Sequence, residues 1–241
     1  MAEWFDPEAL EATQSEVHKT AIGDMDTAGG FGSYAVANRG AGLAASRAGS
    51  HNLLFASQRV AQYAAVLGGR TFERIADIGC GLGITTDALS RHYPQAEVVG
   101  LEISTDGIEY AQKNFKRAQF IRTAVAPTVP LPGSFDLILC QEFYPFTRTS
   151  DRETHRSYIE HLLNYLRPNG VLLIELSERD RNESILATIN GLGFAAQIRG
   201  LPFDRVYRYL PLFTPALVAS KILSVVMSQA ANKCVVIRKS A

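Results

Sequence analysis

The chain has 241 residues, of which 46% are hydrophobic and 20% charged, and its 24 basic residues balance its 24 acidic ones. This composition is typical of a globular protein with a substantial core, and the length suits one large domain or two small ones. The lack of net positive charge argues against nucleic acid as the main partner, because phosphate binding usually requires a basic surface.

The three cysteines, Cys80, Cys140 and Cys234, are scattered along the chain. They are odd in number and lack the spacing of metal ligands. We therefore expect reduced thiols, no metal site and a cytoplasmic protein. The first residues, MAEWFDPEALEATQ, do not show the basic and then apolar order of a signal peptide.

Residues 1–70 are predicted to form a helical extension that covers the active site. DPEALEATQSEVHKTA is amphipathic, and SHNLLFASQRVAQYAAVLG predicts a second helix with Ser50 as its N-cap. Between them, Gly29–Gly49 is rich in Gly, Ala and Ser and carries aromatic residues. Such a loop suits a movable cover, and the alternative is a static extension packed at the edge of a sheet.

From residue 71 onwards, short apolar runs alternate with helical patterns. Strands with continuous Val, Ile and Leu between helices indicate a parallel sheet that is covered on both faces. The predicted strands are FERIADIG, AEVVGLEIS, AQFIRTAV, SFDLILCQEF and GVLLIELS. The predicted helices are GITTDALSRHY, TDGIEYAQKNFKRA, DRETHRSYIEHLLNYLRPNG, which we expect Pro168 and Gly170 to end, and RDRNESILATINGLGF, which we expect to stop near Gly191 or Gly193.

The end of the chain breaks this alternation. FAAQIRG and NKCVVIRKS predict two further strands, and residues 201–232 between them are too many for a hairpin turn. We interpret this segment as an insertion with a helix at its centre. Its aromatic and arginine side chains suit either a lid over an amphipathic substrate or a homodimer surface. The apolar stretch Tyr209–Met227 is about long enough to span a membrane, but two prolines and Lys221 interrupt it, so we expect no span.

The stretch RIADIGCGLGITT joins the first strand to its helix and places Gly79, Gly81 and Gly83 directly after Asp77. A glycine turn at this point lets a ligand touch the backbone, and the helix N-terminus behind it offers free N–H groups. Glu102, at the end of the next strand, is suited to bind the two hydroxyls of a ribose. The sequence therefore predicts a nucleoside-containing cofactor.

The dinucleotide motif G-x-G-x-x-G would need its third glycine at position 84, which is Ile84. A nicotinamide-dependent dehydrogenase is therefore disfavoured. IADIGCGLG instead resembles motif I of the class I S-adenosylmethionine-dependent methyltransferases, and VVGLEIS resembles their second motif. LPGSFDLILC is similar to their fourth strand, and LLNYLRPNGVLLIE to the helix, turn and strand that follow. The similarity covers about residues 72–200 and the final strand, in the order of the family.

This resemblance implies a Rossmann-like α/β fold. The expected sheet is doubly wound, mostly parallel and seven-stranded, with an antiparallel last strand. Residues 71–241 would form the domain that binds S-adenosyl-L-methionine, and residues 1–70 the extension.

By position, the resemblance implies that the glycines pass beneath the methionine and ribose of the cofactor, and that Asp77 lies near its sulfonium or amino group. Glu102 would bind the ribose hydroxyls, and Ile103 would pack on the adenine. Members of the family often carry an acid after the third strand, where this chain has RTAVAPTVPLP. The predicted cofactor-binding residues are Asp77, Gly79, Cys80, Gly81, Gly83, Glu102, Ile103, Ala124, Val125 and Gln141.

Methyl transfer from a sulfonium is an in-line displacement that requires an aligned nucleophile, exclusion of water and at times a base. The candidates are Glu142 and Tyr144, which follow the fourth strand beside Gln141, and His51 at the start of the helix before the sheet. For each there is a simpler interpretation: a solvated loop acid, ordinary packing and a surface histidine.

The resemblance implies a methyltransferase that acts on an O or N atom of a small molecule. Two alternatives stay open: a protein or RNA substrate, and a relative that binds the cofactor without catalysis. The clamp for planar amino groups found in some members, Asn or Asp followed by Pro-Pro and an aromatic residue, is replaced here by QEFYPF.

Overall fold

The computed structural model describes residues 50–103, 105–147, 151–176, 179–193, 196–201 and 232–239. The loop Gly29–Gly49, the insertion apart from its two end residues, and the apolar stretch Tyr209–Met227 lie outside the described residues. The predicted cover, lid and dimer surface therefore stay predictions. In the described part of the chain, no helix is both long and apolar enough to cross a membrane.

Six helices and seven strands occur within the described residues. The helices are α1 (Ser50–Val66), α2 (Ile84–His92), α3 (Thr105–Asn114), α4 (Tyr144–Thr147), α5 (Arg152–Asn164) and α6 (Arg179–Gly191). The strands are β1 (Arg74–Ile78), β2 (Glu97–Glu102), β3 (Gln119–Arg122), β4 (Phe135–Cys140), β5 (Leu166–Leu176), β6 (Ala196–Leu201) and β7 (Asn232–Arg238).

The seven strands form one sheet in the order β3-β2-β1-β4-β5-β7-β6. The pairs from β3 to β5 are parallel, and β7 runs antiparallel to both β5 and β6. The predicted doubly wound sheet with an antiparallel last strand is therefore confirmed. The short helix α4 was not predicted.

Helices cover both faces of the sheet, as its apolar strands require. Because alternate strand residues point to opposite faces, Ile138 and Ile174 pack into a core with α5 and α6. Leu139 and Leu173 pack into a second core with α1 and α2. Helix α1 thus belongs to the layer that covers the sheet, while the predicted boundary between residues 70 and 71 stays untested.

The end of α5 differs from the prediction. The helix was expected to continue to Pro168 and Gly170, but it ends at Asn164, and β5 begins at Leu166. The register between β4 and β5 shifts in the following residues, and Asn169 has a left-handed φ of 63°. Proline has no N–H to donate to a neighbouring strand. This break in the register therefore allows β5 to contain Pro168.

Candidate functional site

Strand order reverses between β1 and β4, which are neighbours in the sheet although β2 and β3 lie between them in the chain. Ligands of doubly wound folds bind at the carboxyl ends of the strands at this switch point. The residues that follow here are Gly79 after β1 and Gln141 after β4. The switch point therefore brings the glycine loop beside the loop that holds Glu142 and leads to Tyr144.

The three glycines of the loop all have left-handed φ angles: 68° at Gly79, 55° at Gly81 and 76° at Gly83. A Cβ on Gly81 would meet no atom within 4 Å, so this glycine faces open space. A Cβ on Gly83 would instead lie 2.5 Å from the Phe120 ring and 2.8 Å from Ala111. Gly81 therefore suits contact with a ligand, whereas Gly83 permits the close packing of α2 on α3 and β3.

Backbone amides hold the carboxylate of Glu102 at the tip of the glycine loop. Gly81 N donates to its Oε2 and Ile103 N to its Oε1, both at 2.9 Å. The residue is 7% exposed. These two amides fix the orientation of the carboxylate, and a carboxylate offers about four acceptor positions in all.

Asp77, at the carboxyl end of β1, is 2% exposed and accepts a hydrogen bond from Thr86 Oγ1 at 2.7 Å. Burial raises the pKa of this carboxyl from 3.8 to about 7, the hydrogen bond from Thr86 opposes the rise, and the charge of Glu102 adds to it. A cation beside Asp77 would favour its ionised form. The position is therefore one that a positively charged ligand group would stabilise.

Gln141 lies across the switch point from Asp77. Thr85 Oγ1, in the first turn of α2, donates to Gln141 Oε1 at 2.7 Å, and both side chains are half-buried. Gln141 was predicted from the sequence, whereas its hydrogen-bond partner Thr85 was not.

Hydroxyl groups of α1 and α2 contact polar residues at the carboxyl ends of three strands that are neighbours in the sheet. Each donor comes from a helix on the same face. The pairs are Thr86 with Asp77 of β1, Thr85 with Gln141 after β4, and Tyr63 with Glu175 of β5.

The third of these pairs belongs to a buried ion-pair cluster. Arg59 Nη2 lies 3.6 Å from Glu175 Oε1, and Arg59 and Glu175 are 0% and 2% exposed. Burial, followed by the charge of Glu175, raises the pKa of Tyr63 well above its usual range. Arg59 and Tyr63 lie one turn apart on α1, so the cluster fixes this helix against the end of β5.

The predicted neighbours of the adenine lie together only in part. Ile103 packs against a small buried cluster that contains Ala124. Val125 is buried in the large core beside α5 and α6. Arg122 Nε, at the end of β3, donates to the Ile103 carbonyl at 3.1 Å. Ile103 and Ala124 thus form one apolar wall, which Val125 does not share.

The cysteine side chains are unsuited to nucleophilic chemistry. Burial raises the pKa of the Cys80 and Cys140 thiols well above their usual range and that of Cys234 to about 12. Cys80 Sγ would lie 2.8 Å from a Cβ on Gly100, so this side chain faces the core. Among the described residues, no three His, Cys, Asp or Glu side chains are grouped as a metal site would require.

The three predicted catalytic residues are only partly described. Glu142 is half-buried and has a left-handed φ of 56°, which is costly for a residue with a side chain and is often found at functional sites. The backbones of His51 and Tyr144 lie in α1 and α4, and their side chains lie outside the described part.

Phe143, which follows Glu142, was missed in the sequence. Its Cδ2 would lie 3.1 Å from a Cβ on Gly79, so the ring lies against the glycine loop. It makes edge-to-face contacts with Phe146 and Tyr158, at centroid distances of 6.1 and 5.7 Å. The position of an aromatic residue after a strand does not indicate where its ring points. The contact between Phe143 and Gly79 is therefore visible only in the folded structure.

Gly107 and the two threonines were also missed. A Cβ on Gly107 would lie 2.9 Å from the Gly81 carbonyl oxygen, so this glycine allows α3 to approach the loop. Its place in TDGIEY gives no such signal. Thr85 and Thr86 could have been noticed as two hydroxyls directly after the glycines in GITT.

Comparison with known proteins agrees with this geometry. A family profile described as "Methyltransferase domain" matches residues 75–170. A trans-aconitate 2-methyltransferase of Afipia carboxidovorans is 31% identical over 105 residues, which are 44% of this chain and 39% of that protein. A trans-aconitate 2-methyltransferase of Deinococcus radiodurans is 28% identical over 154 residues, which are 63% of this chain and 57% of that protein. The chain thus matches about two fifths to three fifths of the length of these relatives.

A solved structure extends the likeness over nearly the whole chain. The plantazolicin methyltransferase BpumL, in complex with a pentazolic desmethylPZN analog and SAH, aligns with a TM-score of 0.55 over 98% of both chains at 15% identity. At this identity the likeness supports the fold alone.

Proposed function

We propose that this chain, which belongs to the class I S-adenosylmethionine-dependent methyltransferases, transfers a methyl group from S-adenosyl-L-methionine to an O or N atom of a small molecule. The match to the family lies in residues 75–170, which include all of β1 but its first residue, the glycine loop, Glu102 and Gln141. The activity and the substrate are the proposal, because the sequence relatives are matched over only part of their length.

The observation that carries the proposal is the pairing of Gly81 with Glu102. The Gly81 amide holds the carboxylate, and the other side of the same residue faces open space. An acceptor fixed beside a bare stretch of backbone fits a ribose that carries two hydroxyls. The described residues therefore fit the nucleoside part of this cofactor.

The remaining residues of the site have complementary roles in this proposal. Glu102 accepts from the ribose hydroxyls, and Asp77 accepts from the amino group and stabilises the positive charge beside it. Ile103 and Ala124 provide an apolar wall for the adenine. When bound, the cofactor supplies an electrophilic methyl group on a sulfonium.

On the acceptor side, Glu142 is our candidate for the base that removes a proton from the nucleophile, or for the residue that orients it. Its left-handed backbone places Phe143 against Gly79, where the ring helps to exclude water. Glu142→Gln keeps the shape and removes the basic group. We expect a lower kcat with little change in affinity for S-adenosylhomocysteine. An unchanged kcat and pH profile would leave Glu142 with a structural role.

The sequence relatives support a small carboxylic acid as the substrate. They are trans-aconitate 2-methyltransferases by name. Binding of such a substrate requires cationic side chains. Arg59 is not our candidate for this role, because it is already ion-paired with Glu175. The arginines of the predicted cover and insertion, among them Arg39, Arg47 and Arg205, are candidates that lie outside the described residues.

The proposal is tested by binding and then by turnover. Calorimetry should show that S-adenosylhomocysteine binds with an affinity in the micromolar range and more tightly than NAD. Transfer of an isotope-labelled methyl group should then be assayed with trans-aconitate, related tricarboxylic acids, RNA and protein extracts. Tighter binding of NAD would end the methyltransferase assignment, and labelling of RNA or protein alone would replace the small-molecule substrate.

A further inference from the structure

The contact between Thr85 and Gln141 fixes a group that could otherwise take two orientations. A carboxamide carries its oxygen and its NH2 group on opposite sides of one plane. Because Thr85 Oγ1 donates to Gln141 Oε1 at 2.7 Å, the oxygen faces α2 and the NH2 group is turned away from it. Gln141 is thereby presented as a hydrogen-bond donor.

Thr86, the next residue of the same helix turn, holds a hydrogen-bond acceptor in place. Thr86 donates to Asp77 Oδ2 at 2.7 Å, and an ionised carboxylate can only accept hydrogen bonds. Asp77 is the penultimate residue of β1 and Gln141 directly follows β4, the two strands that border the switch point. Two successive threonines therefore set an acceptor on one side of the crevice and a donor on the other.

A donor and an acceptor on opposite sides of a crevice match a zwitterion. We propose that Thr85 is a positioning residue, which orients the Gln141 carboxamide so that its NH2 group binds the carboxylate of the amino-acid part of the ligand, while Asp77 binds the amino group. This inference rests on the proposed function, because it needs a ligand with such a part.

Two ligands separate this role from a general effect on the site. S-adenosylhomocysteine contains the amino-acid part, whereas 5′-methylthioadenosine shares its nucleoside and thioether and lacks it. Thr85→Val keeps the shape and removes the hydroxyl. We expect it to weaken S-adenosylhomocysteine binding about tenfold, the range of one hydrogen bond to a charged group, and to leave methylthioadenosine within about twofold.

Two further variants serve as controls. Thr85→Ser retains the hydroxyl and should restore the affinity for S-adenosylhomocysteine. Thr71→Val removes an exposed threonine at the opposite end of the sheet and should change neither ligand. The melting temperature of each variant shows whether it folds as the wild type does.

A double-mutant cycle tests whether Thr85 acts through Gln141. In the Gln141→Leu background, Thr85→Val should have no further effect on S-adenosylhomocysteine binding, because the group that it orients is gone. Additive effects of the two substitutions would overturn the inference, and so would equal losses for both ligands or an unchanged affinity in Thr85→Val. A wild-type protein that binds neither ligand would instead refute the proposed function and this inference with it.

Discussion

The two ends of the sheet carry the same kinds of charged residue in opposite environments. At the carboxyl ends, Asp77 and Glu102 are almost fully buried, and hydroxyls or backbone amides hold them. At the amino ends, Arg167 forms ion pairs with Glu73 and Asp136, at 3.0 and 3.2 Å. These partners are much more exposed, with Glu73 at 88%.

The size of a cavity does not show which end of the sheet holds the functional site. A groove of about 740 Å³ lies at the amino ends, bordered by Arg70, Arg167 and Asp136. Its arginines are already engaged, Arg167 in ion pairs and Arg70 with the Asn169 carbonyl at 2.9 Å. Exposed pairs of this kind contribute little, whereas burying a carboxylate is costly, and such buried groups are concentrated at functional sites. In this sheet, buried charged side chains therefore indicate the candidate site better than the volume of a groove does.

The largest expected effect is on the pH dependence of stability, through Asp77. Its pKa in the folded state, about 7, lies above the 3.8 of an ordinary aspartate, so between these values the native state binds the proton more tightly than the unfolded state. Asp77 therefore lowers the free energy of unfolding as the pH rises from about 4 to 7, by as much as about 4 kcal/mol. Asp77→Asn should remove this decrease.

Chemical denaturation of both proteins between pH 5 and pH 8 measures this effect. The difference between them isolates Asp77 from other titrating groups such as His161, whose pKa burial lowers. A variant whose unfolding free energy follows the wild type at every pH would show that Asp77 is not a strained buried charge, and the contrast between the two ends would be lost.

The second effect concerns ligand contact with the backbone. Gly81→Val should weaken S-adenosylhomocysteine binding at least about a hundredfold, because the side chain would fill the open space beside Glu102. Gly68→Val is the matched control: Gly68 has a φ of 72°, and a Cβ there also meets no atom within 4 Å. Both variants incur similar backbone strain, so circular dichroism should show two folded proteins and calorimetry only one that binds. Normal binding of S-adenosylhomocysteine by Gly81→Val would show that the ligand does not contact the loop at Gly81 and that the glycines serve only packing.

A smaller effect is expected from the two acids of β2. Glu97 begins this strand and Glu102 ends it. Glu102→Gln should weaken S-adenosylhomocysteine binding by about 1–3 kcal/mol, because a charge-assisted hydrogen bond becomes a neutral one. Glu97→Gln removes an ion pair between an exposed acid and the half-buried Arg74, at the other end of the strand, and should leave binding unchanged. Equal affinities for the two variants in calorimetry would mean that Glu102 does not contact the ligand.

The smallest effect is expected at the amino ends. Arg167→Gln should lower the free energy of unfolding by no more than about 1 kcal/mol, and by less at high salt, because its ion pairs are partly exposed. Denaturation at low and high salt and calorimetry with S-adenosylhomocysteine test this. A marked loss of ligand affinity in this variant would give the amino-end groove a functional role and break the comparison.

Much of the fold and part of the site could be predicted from the sequence, because they depend on local patterns. Continuous apolar runs identify buried parallel strands, and glycines between a strand and a helix identify the loop at Gly79, Gly81 and Gly83. The interval from this loop to Glu102 indicated that Glu102 binds a ribose, which stays a prediction. The hydrogen bond from the Gly81 amide to Glu102 was not predicted and is seen only in the structure.

Only the tertiary structure decided which side chains meet. Gly81 and Gly83 are equivalent in the sequence, yet one faces open space and the other the Phe120 ring, because α3 and β3 cover only one side of the loop. The hydrogen bond from Thr85 to Gln141 joins residues 56 positions apart, and that from Tyr63 to Glu175 joins residues 112 apart. Periodicity reports the environment of a residue along its own element, whereas partners of this kind are set by strand order and by the packing of helices on the sheet. The sequence therefore determined the sheet and its ligand loop, and the packing of α1 and α2 determined how the polar groups around that loop are held.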